Sequence, residues 1–246
     1  MIEIKNLTKS FGNNLIWKDV SFRIEDGETL AVIGKSGCGK SVLLKHLNAL
    51  LYPDSGKVVI DGKNVFDLNY SELRLMRQRF GILFQGGALF DSINTFENIA
   101  FPLRYFTSDT ESEIKKKVEE ALDMVNLKEA GTKATSELSG GMRKRVGLAR
   151  AIILKPDYLL YDEPTSGLDP QTSEEINELI VSMADTIDLT SIVITHDMHS
   201  VLSIAEKVAF LDSQKLSWFG SIEEMKKSEH PPLVEFTTAS EYKIKA

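Results

Sequence analysis

Gly34-Lys35-Ser36-Gly37-Cys38-Gly39-Lys40-Ser41 is the stretch that decides the fold. It fits G-x-x-x-x-G-K-[ST] without a mismatch, and its context gives the match meaning. Leu30-Ala31-Val32-Ile33 before it is a short continuous apolar run, as in a strand covered on both faces. After it, Leu43, Leu47, Leu50 and Leu51 recur at helical spacing until Pro53. In a glycine loop between strand and helix, backbone N–H groups curl around phosphate oxygens and the helix N-terminus adds positive potential. Lys40 is then placed for the β- and γ-phosphates and Ser41 for Mg²⁺. Residues 34–41 and the adjoining Val42 form the candidate nucleotide cradle. The bland alternative, a Gly-rich turn with a chance Lys-Ser, leaves the strand and helix unexplained.

Further along, Tyr158-Leu159-Leu160-Tyr161 reads as a buried strand delivering Asp162 and Glu163 at its C-terminal end. Ligands of open α/β sheets gather at that edge. Asp162 is placed to hold Mg²⁺ and Glu163 to orient an attacking water. Phosphoryl transfer asks mainly for such positioning, because its transition state is loose. Gln85 after the strand Phe80–Phe84, and His196 after the strand Ser191–Thr195, fall at the same edge. Leu138-Ser139-Gly140-Gly141-Met142 leads into a helix carrying Arg143, Lys144, Arg145 and Arg150. This turn is a second potential anion site, and the basic residues read equally as part of it or as a solvated face.

The rest of the chain supplies the frame. Ile2, Ile4, Val20, Phe22 and Ile24 alternate with polar residues, and turn signals stand at Asp26-Gly27 and Asp61-Gly62, so the first sixty residues read as strands. Residues 95–130 read as helical, flanked by polar stretches at Thr107–Ser112 and Thr132–Glu137. A helix stripe through Met142, Val146, Ala149 and Ile153 follows. A helix from Pro170 to about Ala184 and strands near Val208–Leu211 and Leu216–Phe219 complete the pattern. Strands alternating with helices imply an α/β protein with a mostly parallel sheet. The expected division is 1–228 for one domain, with a helical subdomain over about 90–155 inserted in it, and 229–246 as a tail lying on the surface.

Composition bounds the function. The 246 residues carry 29 Lys and Arg against 36 Asp and Glu, a net charge of −7 that argues against nucleic-acid binding by phosphate neutralisation. The single cysteine, Cys38, excludes an internal disulfide framework and suits a reducing compartment. No apolar run reaches the length of a membrane span, and Met1-Ile2-Glu3-Ile4-Lys5 lacks the build of a signal peptide, so a cytoplasmic protein is expected. Because Cys38 lies in the phosphate loop, alkylation of its thiol is expected to block nucleotide binding.

Taken in order, the loop 34–41, Gln85, Leu-Ser-Gly-Gly 138–141, Asp162-Glu163, Ser166-Gly167-Leu168-Asp169 and His196 resemble the nucleotide-binding subunit of ABC (ATP-binding cassette) transporters, from Met1 to about Ser228. The resemblance implies a P-loop NTPase (RecA-like) core with an N-terminal antiparallel β subdomain, and ATP and Mg²⁺ as cofactors. It implies Phe11 as the aromatic against adenine and Gln85 as the residue that touches Mg²⁺ and senses a membrane partner. Ser139, Gly140 and Gly141 become the signature that closes on the γ-phosphate held by an opposite subunit. Ser166, Gly167, Leu168 and Asp169 become the loop crossing the dimer interface, and His196 the γ-phosphate switch. Asp169 and Pro170 also read locally as N-cap and first residue of the next helix.

Gln85-Gly86-Gly87-Ala88-Leu89-Phe90-Asp91, Glu97-Asn98, Phe101-Pro102-Leu103-Arg104 and Leu138–Val146 narrow the resemblance to the ATPases of Mla/Mce-type lipid transport systems. Met142 stands where the usual signature has Gln, a departure typical of that branch. The narrower resemblance implies a second copy of the chain, an integral-membrane permease, a small regulatory subunit and an Mce-type substrate-binding protein as partners. It places the chain on the cytoplasmic face of an inner membrane. The competing expectations are an ATPase for an amino-acid-type solute transporter, which shares every catalytic motif, and a non-transport switch in cell-envelope remodelling.

Overall fold

The computed structural model describes residues 1–187 and 189–240. Alternation makes the first hairpin: Ile2, Ile4 and Leu7 of β1 (Ile2–Phe11) are buried, and β1 pairs antiparallel with β2 (Asn14–Ile24), Ile2 opposite Ile24. The chain then enters a second sheet through β3 (Thr29–Ile33), buried along its whole length, and α1 (Lys40–Leu47). It returns to the first sheet for β4 (Ser55–Ile60) and the two-residue β5 (Lys63–Asn64). The first sheet is antiparallel, in the order β2-β1-β4-β5. A capping box at Asn69 and Glu72 starts α2 (Tyr70–Gln78), and β6 (Phe80–Leu83) follows.

Three helices separate β6 from the next strand: α3 (Thr95–Phe106), α4 (Glu111–Met124) and α5 (Gly140–Ile152). The expected helical stretch 95–130 is thus two helices. Its break is Thr107–Thr110, where the Thr107 hydroxyl donates to the Leu103 carbonyl and Thr110 forms a capping box with Glu113. The chain continues through β7 (Tyr158–Asp162), α6 (Pro170–Ile187), β8 (Thr190–Ile194), α7 (Met198–Ile204), β9 (Lys207–Asp212), β10 (Lys215–Ser221), α8 (Ile222–Lys226) and α9 (Pro231–Ala239). The second sheet runs β10-β9-β3-β8-β7-β6, parallel from β9 to β6, with β10 antiparallel at one edge. The architecture is α/β, as the alternation of elements predicts.

Two expectations change. The first helix stops at Leu47 rather than near Pro53: Asn48 caps it and Ala49 turns left-handed with φ 52°, so Leu50 is exposed. The stretch Pro231–Ala239 is not an appendage. Pro231 and Pro232 occupy the first turn of α9, where missing N–H groups cost nothing. Leu233 and Phe236 are buried with Ile33, Val201 and Phe210, the Phe236 and Phe210 ring centroids lying 5.3 Å apart. Residues 241–246 of the expected tail lie outside the described residues. Phe236→Ala is expected to lower unfolding stability by about 3 kcal/mol, through lost burial and the cavity left behind. A urea melt superimposable on wild type would return α9 to the surface.

Candidate functional site

Register brings the functional residues together. Val32 of β3 and Asp162 of β7 both pair with Ile194 of β8, and Leu83 of β6 pairs with Tyr161. The residues that follow these strand ends are Gly34, Gln85, Glu163 and His196, side by side along one sheet edge. They wall a cavity of about 680 Å³, with Lys35, Ser36, Gly37, Gly39, Lys40, Ser41, Val42 and Asp162.

The loop is glycine-shaped for identifiable reasons. Gly39 has φ 98°, and a Cβ there would meet the indole Nε1 of buried Trp17 at 2.5 Å. Gly34 has φ 152°, and a Cβ there would collide with the Leu211 carbonyl. The Lys40 ammonium, buried at 8 % exposure, donates to the carbonyls of Gly34 (2.8 Å) and Lys35 (3.3 Å). One of its three N–H donors is left for a ligand in the cavity it lines.

Across the cavity the Ser41 hydroxyl donates to Asp162 Oδ1 at 3.1 Å. Burial raises the Asp162 carboxyl pKa, the Ser41 bond opposes this, and the neighbouring Glu163 charge adds to it. A hard divalent cation fits this set: hydroxyl, carboxylate and amide oxygens are its preferred donors, and its charge would offset the desolvation of Asp162. Among the described residues there is no cluster of three or more His, Cys, Asp or Glu that could hold a metal ion.

Glu163 sits in the left-handed region at φ 52°, its N–H donating to the Ile194 carbonyl at 2.8 Å. Its Oε2 accepts a 2.9 Å bond from His196 Nδ1, so that nitrogen carries the proton. Gln85 Nε2 donates to the Ser166 hydroxyl at 3.3 Å, tying the loop after β6 to the loop after β7. Glu163 and His196 also face a second cavity of about 690 Å³, lined by Ser166, Gly167 and Leu168. Asp169 caps α6, accepting from the Thr172 N–H at 3.0 Å.

Five of the residues expected to contact nucleotide do not line the phosphate cavity. Phe11 is 48 % exposed at the end of the β1–β2 hairpin and does not line the phosphate cavity; Ile16 does. Ser139, Gly140 and Gly141 open α5 away from that cavity. A Cβ on Gly140 or Gly141 would meet Leu168 or Thr172, so the signature lies against the 166–169 loop and the start of α6. Cys38 packs its half-buried side chain toward the core. The half-buried setting of Cys38 has a chemical consequence. Burial raises the thiol pKa, opposed by the Lys40 charge, and alkylation requires the thiolate. Iodoacetamide at pH 7 is expected to label Cys38 at least about tenfold more slowly than a free cysteine, followed by mass spectrometry. Labelling at the free rate would reinstate an open thiol.

Sequence reasoning missed the contribution of the C-terminal helix. Phe236 and Ser240 of the α9 region reach the cavity wall, and Glu235 lies 3.7 Å from Lys35 of the loop. Of the basic residues of α5, Arg143 is exposed, whereas Lys144 is buried and Arg145 and Arg150 are half-buried, and all four have partners. Arg143 donates to the Leu138 carbonyl, Lys144 to the carbonyls of Glu163 and Ser166, Arg150 to those of Gly87 and Ala88, and Arg145 pairs with Glu175. Their partners are mostly main-chain oxygens of distant loops, which no local pattern reveals.

Comparison with known proteins agrees with this geometry. The sequence profile of the ABC transporter family matches residues 17–166. The probable ribonucleotide transport ATP-binding protein mkl of Mycobacterium leprae is 44 % identical over 96 % of this chain, which spans 68 % of that protein. The intermembrane phospholipid transport system ATP-binding protein MlaF of Haemophilus influenzae is 41 % identical over 96 % of this chain and 89 % of its own length. The methionine import ATP-binding protein MetN of Clostridium tetani is 39 % identical over 92 % of this chain and 70 % of its own. Among solved structures, a dimeric post-hydrolysis state of the ATP-binding cassette MJ0796 bound to ADP and Pi superposes with a TM-score of 0.82. It is 31 % identical and covers 90 % of this chain and 99 % of that one. The sheet edge, its phosphate loop and these similarities converge on one assignment: the chain belongs to the ABC transporter family, as an ATP-binding and ATP-hydrolysing subunit.

Proposed function

We propose that this ATPase drives phospholipid transport between envelope membranes, working as a pair of copies beneath an integral-membrane permease at the cytoplasmic face of the inner membrane. The observation that carries the lipid assignment is the similarity to MlaF, which extends over nearly the full length of both chains. Among the described residues no helix is long and apolar enough to cross a membrane, so the path for lipid lies in another subunit. A groove of about 370 Å³ lined by Phe84, Phe90, Phe101, Phe106 and Arg150 borders the loop of Gln85 and suits a helix offered by that permease. A small regulatory subunit and an Mce-type substrate-binding protein complete the proposed assembly.

In hydrolysis, the N–H groups of residues 34–41 and the Lys40 ammonium hold the phosphates of ATP. Ser41, Asp162 and Gln85 are the residues that would hold Mg²⁺, which when bound screens the charge on the phosphate oxygens. Glu163 accepts a hydrogen bond from the attacking water, and His196 fixes the carboxylate while reaching toward the γ-phosphate. Ser139–Gly141 lie outside the chain's own cavity, which favours their use on ATP held by a second copy across the 166–169 loop. Phe11, exposed at its hairpin tip, is free to stack on adenine.

The similarity to MetN favours a second reading, an amino-acid importer with the same engine. Affinity purification from detergent-solubilised membranes separates the two. A permease recovered with bound phospholipid is expected, whereas a stable complex with a solute permease would sink the lipid assignment.

A further inference from the structure

We propose that Lys144 is a positioning residue for hydrolysis: a buried clamp that holds the turn from Glu163 to Ser166 so that the Glu163 carboxylate meets the attacking water. The proposal rests on the reading of Glu163 given above.

Lys144 lies one turn into α5 and is 4 % exposed. Its Nζ donates to the Ser166 carbonyl at 2.7 Å and to the Glu163 carbonyl at 3.2 Å. Burying an ammonium is costly, and a methionine of similar length fills such a space without that cost. The charge is therefore present for what it bonds. Burial pulls the ammonium pKa down to about 8, and the Glu163 charge opposes the shift. A carboxylate at hydrogen-bond distance, the usual partner of a buried lysine, is absent among the described residues; main-chain oxygens take its place.

The bonded oxygens belong to a turn under strain. Glu163 adopts φ 52°, a conformation that persists only when its surroundings hold it. Both of its main-chain polar groups are held from outside the turn. Its N–H is fixed by Ile194 of β8, and its carbonyl by Lys144 of α5. Within the turn the Ser166 N–H also donates to the Glu163 carbonyl, at 3.2 Å. At the far end of the turn, the Ser166 hydroxyl accepts from Gln85. Releasing the Lys144 side of this grip lets the peptide after Glu163 rotate, and small displacements of a positioning group are expensive in rate.

The test compares Lys144→Met, which keeps length and removes every donor, with Lys144→Gln, which keeps an N–H donor, and with Glu163→Gln. Lys144→Met is expected to lower kcat about tenfold to a hundredfold, with nucleotide Kd changed by less than about twofold. Lys144→Gln should recover part of that loss. In the Glu163→Gln background, adding Lys144→Met should cost little more, because the group being positioned is already gone. Wild-type kcat in Lys144→Met, or a full multiplicative loss in the double variant, would overturn the proposal. If Lys144→Met does not fold, Lys144→Leu, which also lacks every donor, takes its place on the same two measurements, a wild-type kcat again overturning the proposal. Retained turnover in Glu163→Gln alone would instead remove the reading of Glu163.

Discussion

Glu163→Gln should bind ATP as wild type does and hydrolyse it about a hundredfold to ten-thousandfold more slowly, the range over which a positioned acid–base group acts. The substitution is nearly isosteric. The side-chain oxygen can still accept from His196 Nδ1, and the main-chain grip of Ile194 on Glu163 is untouched. What disappears is the negative charge that orients a water and draws on its proton. Nucleotide binding depends on the other wall of the cavity, where Lys40, Ser41 and the loop N–H groups lie, so affinity should hold. Phosphate release measured beside nucleotide titration separates the two quantities. Turnover within about threefold of wild type would show that Glu163 does not serve the reacting water.

Lys40→Ala should show the opposite pattern, with the loss in binding itself. Removing one partner of a desolvated charge pair costs about 2–5 kcal/mol. That is roughly thirtyfold to several thousandfold in nucleotide Kd. The cost has two sources here. The phosphates lose their buried ammonium, and the carbonyls of Gly34 and Lys35 lose the donor that draws the loop closed. Lys40→Arg is no remedy, because a planar fork of fixed donors does not reproduce an ammonium that bonds two loop carbonyls and keeps a third donor for the cavity. Titration with a fluorescent nucleotide is the measurement, and a Kd within about threefold of wild type would displace Lys40 from the phosphates.

Much of the sheet edge was legible in the sequence because each functional residue follows a run that reads as a strand. Buried strands such as Leu30–Ile33 and Tyr158–Tyr161 announce themselves as apolar runs, and parallel register then aligns whatever comes next. Short helices were not legible. The seven residues of α7, capped by Asp197, and the five of α8 are too short to show a period. The stretch after Ser228 reads as a surface tail, although its Pro231-Pro232 pair also suits the first turn of a helix, as it does in α9. The Thr110–Glu113 box was written in the sequence, yet the apolar stripe through Ile114, Val118 and Leu122 hid the break before it. Lys144 and Arg150 show a different limit: their partners are carbonyl oxygens, which every residue has, so no pattern of side chains identifies them.

The left-handed backbone at Glu163 also bears on how this position changes over evolutionary time. Among the residues lining the phosphate cavity, it is the non-glycine one with positive φ. Glycine or asparagine would occupy that conformation more comfortably. Selection for thermal robustness alone would therefore drift position 163 toward Gly or Asn and, on the proposed role of Glu163, remove the group that serves the water. On that role, a glutamate kept there trades stability for turnover. The most stable descendant of this chain and its most active descendant would differ first at this position.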